Sequence, residues 1–232
     1  MSQPRISKLS IWENHEKRVI EVLLLALSLL QKKTNLVLHQ INEDALNTEL
    51  YFCLIEANRI LHRQHFSKGF DHPPTPEGQN PPDVDDELND PRKKKRPDFY
   101  WGYIDHQEPD PRLCARNFYI ECKRLGKPLR KEKILTNLYV ENGIRRFITE
   151  EHAYSKREKS SAMVGYIQNL EIGTILSQVN EAMELFSEPM AAIECDKEGY
   201  KDGGVSQLSH ILERPFPISP FRLYHFWVDL RK

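Results

Sequence analysis

The order of hydrophobic patterns along this 232-residue chain predicts an α/β fold with an N-terminal helical extension. Two helical segments come first, and strands alternate with helices after residue 97, which is typical of α/β domains. Apolar residues make up 39% of the chain, enough for the core of one large domain. We therefore expect the extension at residues 1–40 and the domain at residues 41–232.

Two segments near the N-terminus have the spacing of buried helices. Residues 13–31 include the apolar stretch 22–30, and residues 44–65 place apolar side chains on one helical face behind a candidate cap, Asn42 or Asp44. The apolar stretch is far shorter than the roughly 20 residues that cross a bilayer, and no signal-peptide cleavage site follows it. Its hydrophobicity makes it a candidate contact surface for a protein partner or a second copy of the chain.

The short apolar stretch predicts that the protein has no membrane partner, and the cysteine pattern predicts a cytoplasmic location. None of the four cysteines forms a Cys-x-x-Cys pair, which argues against a zinc ribbon or a redox motif. Scattered single cysteines are typical of proteins in a reducing compartment.

Residues 67–96 have the composition of a long mobile loop. The segment holds six prolines and seven acidic residues and almost no large apolar side chain. Such a segment buries too little surface to offset the entropy lost on ordering. It ends in a basic run, Arg92, Lys93, Lys94, Lys95 and Arg96.

Strand patterns begin directly after this basic run. Residues 98–104 are rich in aromatic side chains, and residues 118–124 alternate with period two. The alternation places Cys122 on the apolar face and Glu121 with Lys123 on the other. The remaining predicted elements are a helix at 138–152, a strand at 162–168, a helix at 172–186 and a terminal hairpin with strands at 205–213 and 221–230.

The candidate catalytic residues lie in two short motifs, Pro97-Asp98 and Glu121-Cys122-Lys123. Glu121 follows Asp98 by 23 positions. If the two strands are neighbours, the Asp98 and Glu121 carboxylates converge. Magnesium prefers oxygen ligands, so these carboxylates, the Cys122 carbonyl and water would suffice to bind it. Such an ion activates water and offsets charge on a phosphate, and an adjacent Lys123 ammonium stabilises the same charge. The pattern favours metal-dependent phosphodiester hydrolysis, and the alternative is a solvated Glu121–Lys123 pair.

The motif Pro97-Asp98…Glu121-Cys122-Lys123 resembles that of the PD-(D/E)-x-K nuclease superfamily, which includes type II restriction endonucleases and Holliday-junction resolvases. The resemblance covers a little over half of the chain. It implies a restriction-endonuclease-like core, a central mixed sheet flanked by helices in the order α–β–β–β–α–β. One of the three consecutive strands is not evident from the sequence. The resemblance also implies that Asp98 and Glu121 bind the metal and that Lys123 is the catalytic lysine.

Members of this superfamily often add a glutamate from the first core helix. Glu56, at the edge of the apolar stripe, is the candidate here, and a surface pair with Arg59 is the alternative. Some members also use a glutamine near the last strand, which Gln168 matches only loosely, so an ordinary structural role is favoured for it.

The charge distribution favours a polyanionic partner. Residues 92–159 hold 18 Lys and Arg against 10 Asp and Glu, although the whole chain has a net charge of −1. This polarisation would create a positive field around the proposed site, and the acidic loop would shield it when nucleic acid is absent. The candidate phosphate contacts are Arg92, Lys93, Lys94, Lys95, Arg96, Arg124, Lys127, Arg130, Lys131 and Lys133.

The sequence therefore predicts an endodeoxyribonuclease that uses Mg²⁺, or Mn²⁺ in its place, to hydrolyse DNA. We expect it to work with a protein partner or as a homo-oligomer, as nuclease components of bacterial restriction and anti-phage defence systems do. Two alternatives stay open. One is a catalytically inactive nucleic-acid-binding or assembly subunit of the same fold, and the other is an interaction protein in which these residues form surface salt bridges. The motif does not distinguish DNA from RNA.

Overall fold

The computed structural model of the chain describes residues 11–33, 41–65, 68–81, 83–85, 90–128, 134–188, 190–195 and 204–231. They form a seven-stranded mixed sheet flanked by helices, which confirms the predicted α/β class. Within these ranges, no helix is both long enough and apolar enough to span a membrane.

The sheet has the strand order β1-β2-β3-β4-β7-β6-β5. The central strands β3, β4 and β7 run parallel, and the other neighbouring pairs are antiparallel. Every residue of β4 is buried, as expected for a strand covered on both faces. The strands are β1 (Thr75–Pro76), β2 (Phe99–Ile104), β3 (Ala115–Leu125), β4 (Ser160–Ile167), β5 (Glu194–Cys195), β6 (Val205–Leu212) and β7 (Phe221–Asp229).

Helices pack on both faces of this sheet. In the described ranges the α-helices are α1 (Ile11–Gln31), α2 (Glu43–Gln64), α3 (Leu135–Glu141) and α4 (Ile172–Met183), with 3-10 helices at Pro91–Lys94 and Ile144–Phe147. α1 and α2 share one hydrophobic cluster with the sheet, and α3 and α4 share a second. The sheet therefore lies between two apolar cores.

Strand β3 has the alternation predicted from its sequence. Ile120 and Cys122 belong to the core under α1 and α2, whereas Tyr119 belongs to the core under α3 and α4. Because side chains alternate along a strand, Glu121 and Lys123 project from the face of Tyr119. Both are buried, with exposed fractions of 0% and 8%.

The apolar stretch of α1 lies inside the protein. Val22, Leu23, Ala26, Leu27 and Leu30 have no exposed surface and pack in the same core as α2. The hypothesis that this stretch is a contact surface for a partner is therefore wrong for its buried face. The hydrophobicity that suggested a partner is used in the core of the chain itself.

The start of α2 follows its predicted cap. The Asn42 side chain accepts a hydrogen bond from the backbone N–H of Ala45 at 2.9 Å, which satisfies one of the free donors of the first turn. Glu43 is therefore the first residue of the helix.

The described part of residues 67–96 is irregular but anchored to the domain. Asn80 is buried, donates to the His152 carbonyl at 2.8 Å and accepts from the Tyr119 hydroxyl at 3.1 Å. Within the same segment, β1 pairs antiparallel with β2. Two residues of strand in a proline-rich segment leave no periodic signal, which is why the sequence pattern missed β1.

The predicted helix at 138–152 is in fact two shorter helices. α3 ends at Glu141, and a 3-10 helix follows from Ile144. Asn142 and Gly143 have low helix propensity. A Cβ atom on Gly143 would lie 2.3 Å from the Tyr139 carbonyl oxygen, so the backbone of α3 leaves no room for a larger residue here.

Candidate active site

Pairing between β2 and β3 brings together the two parts of the predicted motif. Phe99 lies opposite Ile120, so Asp98, just before β2, adjoins Glu121. The backbone N–H of Cys122 donates to Asp98 Oδ2 at 2.6 Å. This bond fixes one carboxylate of the site directly on the strand that carries the other.

The Lys123 ammonium lies where the acidic side chains converge. Its Nζ atom is 3.0 Å from Glu121 Oε1 and 3.8 Å from Asp98 Oδ2. It also donates to the carbonyl oxygen of Cys122 at 2.6 Å. The structure therefore gathers Asp98, Glu121, Lys123 and the Cys122 carbonyl around one point.

A third carboxylate in this cluster comes from Glu43, which the sequence analysis missed. Its Oε1 atom accepts a hydrogen bond from Lys123 Nζ at 2.8 Å. Acidic residues stabilise the first turn of a helix, so the sequence pair Glu43-Asp44 reads as ordinary helix capping. The sequence signal for Glu43 was its position directly after the cap Asn42, in the first turn of α2. The first residues of a helix that begins beside a sheet point toward the ends of the strands.

The predicted catalytic role of Glu56 is contradicted by its position. Glu56 pairs with Arg59 at 2.7 Å, and its side chain is 44% exposed. It follows Glu43 by 13 residues, which corresponds to about 20 Å along a helix. The amphipathic pattern located the correct helix but selected the wrong end of it.

Glu121 is fully buried and only partly satisfied. Its Oε1 atom accepts hydrogen bonds from Arg146 and lies within reach of Lys123, whereas its Oε2 atom is buried and has no hydrogen-bond partner. Buried polar atoms are almost always paired, because leaving one unpaired costs about 1–3 kcal/mol. The Oε2 atom is therefore the position in this cluster at which a ligand would be gained.

The charges of the site perturb one another. Burial, reinforced by the negative charge of Glu121, raises the pKa of Asp98 to about 8, against the opposing effects of Lys123 and the Cys122 N–H. Burial alone would lower the pKa of Lys123, but the carboxylates of Glu121, Asp98 and Glu43 outweigh it and raise that pKa. An added cation would oppose the rise in the pKa of Asp98, because an opposite charge favours the ionised carboxylate.

The donor set suits a hard divalent cation. Across the part of the chain that the structure describes, no group of three or more His, Cys, Asp or Glu side chains is arranged to hold a metal ion. The Lys123 ammonium already lies among the carboxylates, so a metal would take its place there. Oxygen ligands from Asp98, Glu121 and the Cys122 carbonyl, with the unpartnered Glu121 Oε2, are those that Mg²⁺ prefers.

Arg146 is a second basic residue of the site that the sequence analysis did not select. It belongs to the 3-10 helix Ile144–Phe147 and donates to Glu121 Oε1. Its Nε atom is buried without a hydrogen-bond partner. Arg146 therefore holds the Glu121 carboxylate from the side of α3, opposite the Lys123 ammonium.

The candidate phosphate contacts divide into buried and exposed groups. Arg92 is only 4% exposed and donates to the Pro81 carbonyl at 2.8 Å, so its predicted role as a phosphate contact is wrong. Lys95 pairs with Glu151. Lys94, Arg96 and Lys127 are exposed, Lys93 and Arg124 are half-buried, and Arg130, Lys131 and Lys133 lie outside the described residues.

Gln168 has the structural role that the sequence favoured for it. It is 1% exposed, and its Nε2 atom donates to the Ile41 carbonyl at 3.1 Å. This bond attaches the segment before α2 to the end of β4.

Comparisons of the chain with protein-family models, with curated proteins and with solved structures find no match. The functional argument therefore rests on the geometry and chemistry of the cluster.

Proposed function

We propose that the protein is a metal-dependent nuclease of the PD-(D/E)-x-K type that hydrolyses phosphodiester bonds in DNA with Mg²⁺ or Mn²⁺. One observation carries the proposal: Asp98, Glu121 and Lys123, distant in sequence, surround one point at which a buried carboxylate oxygen lacks a partner. A buried Glu–Lys pair alone would not require the second oxygen of Glu121 to stay unsatisfied.

The order of elements supports this family assignment. α2, the strands β1 to β3, α3 and β4 follow one another as helix, three strands, helix and strand. The motif resemblance implies the same order, in which the two-residue β1 would be the strand that the sequence left unassigned. Glu121 and Lys123 lie on β3 and Asp98 lies directly before β2, which is compatible with the resemblance.

The chain's own residues define how such a site would work. Asp98, Glu121 and the Cys122 carbonyl would hold the ion, with Glu43 beside them. A bound Mg²⁺ lowers the pKa of a coordinated water and offsets negative charge on the phosphate. Lys123, released from the carboxylates, would orient the attacking water and, as an ammonium, stabilise charge on the phosphate.

A second candidate function is an inactive nucleic-acid-binding subunit of the same fold. The observation that favours it is that Lys123 already neutralises the carboxylates, through contacts with Glu43 and Glu121. A site held closed in this way binds nucleic acid through its surface charges without cleaving it. Cleavage and binding assays separate the two functions.

The decisive experiment compares cleavage of labelled DNA and RNA by the wild type, Asp98→Ala and Lys123→Ala, with Mg²⁺, Mn²⁺ or EDTA. Glu56→Gln is the matched control, since Glu56 is an acid of α2 that lies outside the cluster. We expect metal-dependent cleavage of DNA by the wild type and the control and its loss in both site variants. Binding without cleavage by every protein would favour the inactive subunit, and equal cleavage by all four would contradict the proposed site.

A further inference from the structure

A second cluster of charged side chains lines a cavity of about 250 Å³ beside the start of β3. Five basic side chains contribute to its wall, Arg92, Arg112, Arg116, Lys156 and Arg157. Arg116 precedes Lys123 by seven residues on β3, which corresponds to about 23 Å along a strand. The cavity is therefore separate from the candidate active site.

Three of these basic residues have partners outside the acidic segment. Arg112 donates to both carboxylate oxygens of Asp110, at 3.0 and 2.7 Å. Arg116 donates to both carboxylate oxygens of Glu158, at 2.7–3.0 Å, and Glu158 is 6% exposed. Arg92 donates to the Pro81 carbonyl. These bonds build the wall of the cavity and leave Lys156 and Arg157 as the basic residues that face its acidic neighbours.

Lys156 and Arg157 are held by two carboxylates from the acidic part of residues 67–96. Arg157 Nε lies 2.7 and 2.8 Å from the two carboxylate oxygens of Asp83, and Arg157 Nη2 pairs with Asp85. Lys156 Nζ lies 3.7 Å from Asp83 and 4.0 Å from Asp85. More than 70 residues of sequence separate the partners. The sequence analysis expected the acidic segment to shield the basic run 92–96, yet these two acids pair with a different basic site.

We propose that this cavity binds the phosphodiester backbone of nucleic acid and that Asp83 and Asp85 occupy it in the free protein as internal competitors. The inference rests on the proposed function, since it names a second contact with the same substrate. Guanidinium groups recognise carboxylates and phosphates through the same geometry. The Arg157–Asp85 pair is partly exposed, so it contributes little to stability. A backbone phosphate that binds Lys156 or Arg157 also releases counterions, so exchange at this pair favours the polyanion.

The test is the affinity for a short DNA duplex in EDTA, where no cleavage occurs, measured by fluorescence anisotropy over a series of salt concentrations. For Asp83→Asn/Asp85→Asn we expect about fivefold to tenfold tighter binding, because the polyanion no longer displaces two carboxylates. If Lys156 and Arg157 each gain one phosphate contact in this variant, the slope of log K against log salt becomes steeper by about 1.8. Asp85→Asn alone, at a 61% exposed side chain, gives a smaller effect in the same direction and cannot disturb the core.

Matched controls separate the pairing from net charge. Glu181→Gln/Glu184→Gln on α4 removes the same number of negative charges from exposed positions. Lys156→Gln/Arg157→Gln should weaken binding strongly in the Asp83→Asn/Asp85→Asn background and only slightly in the wild type. Equal tightening by the α4 variant, or no change in the Asp83→Asn/Asp85→Asn variant, would overturn the inference.

Two further outcomes distinguish this inference from related ones. In the first, the wild type cleaves DNA with metal while the Asp83 and Asp85 substitutions leave its DNA affinity unchanged. That result would overturn the inference and leave the nuclease proposal standing. If the variant binds DNA more tightly but no protein cleaves DNA under any condition, the nuclease proposal is overturned and the inference about the cavity stands. If inorganic phosphate at constant ionic strength binds in a manner that depends on Asp83 and Asp85 while DNA affinity does not, the cavity is a small-anion site and not a backbone contact.

Discussion

Glu121 and Arg214 are both buried charged side chains, and the comparison between them separates function from structure. Arg214 donates to the carbonyl oxygens of five residues at 2.7–3.3 Å, namely Phe147, Tyr154, Ser155, Glu158 and Ile218. Its guanidinium also lies 3.6 Å from the centroid of the Phe221 ring. Glu121 has one satisfied oxygen and one buried oxygen without a partner.

This difference is the one expected if Arg214 is structural and Glu121 belongs to a ligand-binding site. Arg214 joins the chain after α3 to the start of β4 and the terminal hairpin, and every one of its nitrogens is engaged. The negative charge of Glu121 is balanced by Lys123 and Arg146. One carboxylate oxygen of Glu121 has no hydrogen-bond partner. A structural charge is fully paired, whereas a site that must bind a ligand keeps binding capacity at a cost in stability.

The largest expected effect is on Arg214. The substitution Arg214→Met leaves the carbonyl groups of five residues without their buried donor. We therefore expect the free energy of unfolding to fall by about 3–5 kcal/mol. Urea denaturation measures this loss. A cost below about 1 kcal/mol would mean that water replaces the guanidinium and that full pairing does not identify structural charges.

The next effect concerns a pair of buried histidines. They extend the comparison of buried charged side chains to buried groups that stay neutral. Trp227 donates to the Tyr139 hydroxyl, and that hydroxyl is hydrogen-bonded to His225 Nδ1 at 2.7 Å. His225 Nε2 is buried without a partner. The His210 ring lies 5.6 Å from the His225 ring. Burial lowers the pKa of His210 to about 4, against a smaller opposing effect of the Ala191 backbone, and lowers the pKa of His225 as well.

The sign of the pH dependence follows from these lowered pKa values. Below pH 6.5 the unfolded chain takes up protons that the folded protein does not, so stability is complete above pH 6.5 and is lost as the pH falls toward 4. His210 alone accounts for about 3 kcal/mol of this loss. We expect His210→Leu to flatten the pH profile of the unfolding free energy between pH 4 and 6.5, and the exposed His106→Leu to leave it unchanged. An equal slope in both variants would contradict the assignment.

A smaller effect separates the two glutamates of α2. Glu43→Gln weakens the contact with Lys123, so we expect metal-dependent cleavage to fall by about tenfold. Glu56→Gln removes only a surface pair with Arg59, so cleavage should stay unchanged and stability should change by less than about 0.5 kcal/mol. Comparing the cleavage rates of the two variants tests whether Glu43, and not Glu56, contributes to the site. A larger loss of cleavage for the Glu56 variant would support the catalytic role that the sequence suggested for Glu56.

The sequence predicted the local features of this protein and missed the long-range ones. Period-two alternation correctly oriented Glu121 and Lys123, because the direction of a side chain along β3 depends only on its position in the strand. The choice between Glu43 and Glu56 depends on which end of α2 meets β3, a tertiary fact that helical spacing does not carry. The same limit applies to Arg92, which belongs to a basic run yet lies in the protein interior.

The pairing of the acidic segment was also beyond local pattern. Composition identified residues 67–96 as acidic and irregular, and it predicted shielding of a basic surface. Which cations Asp83 and Asp85 contact depends on how the segment returns to the start of β4. Charge counts along a chain predict that opposite charges will meet but not which ones.

Calorimetric titration of Mn²⁺ into the wild type and Glu121→Gln, with Glu56→Gln as the control, tests the central claim most directly. The unpartnered Glu121 oxygen should provide a ligand, so we predict one binding event in the wild type and in Glu56→Gln and its loss in Glu121→Gln. Thermal unfolding without metal checks that each variant is folded. Equal binding by all three proteins, or no binding by any of them, would contradict the metal-dependent site.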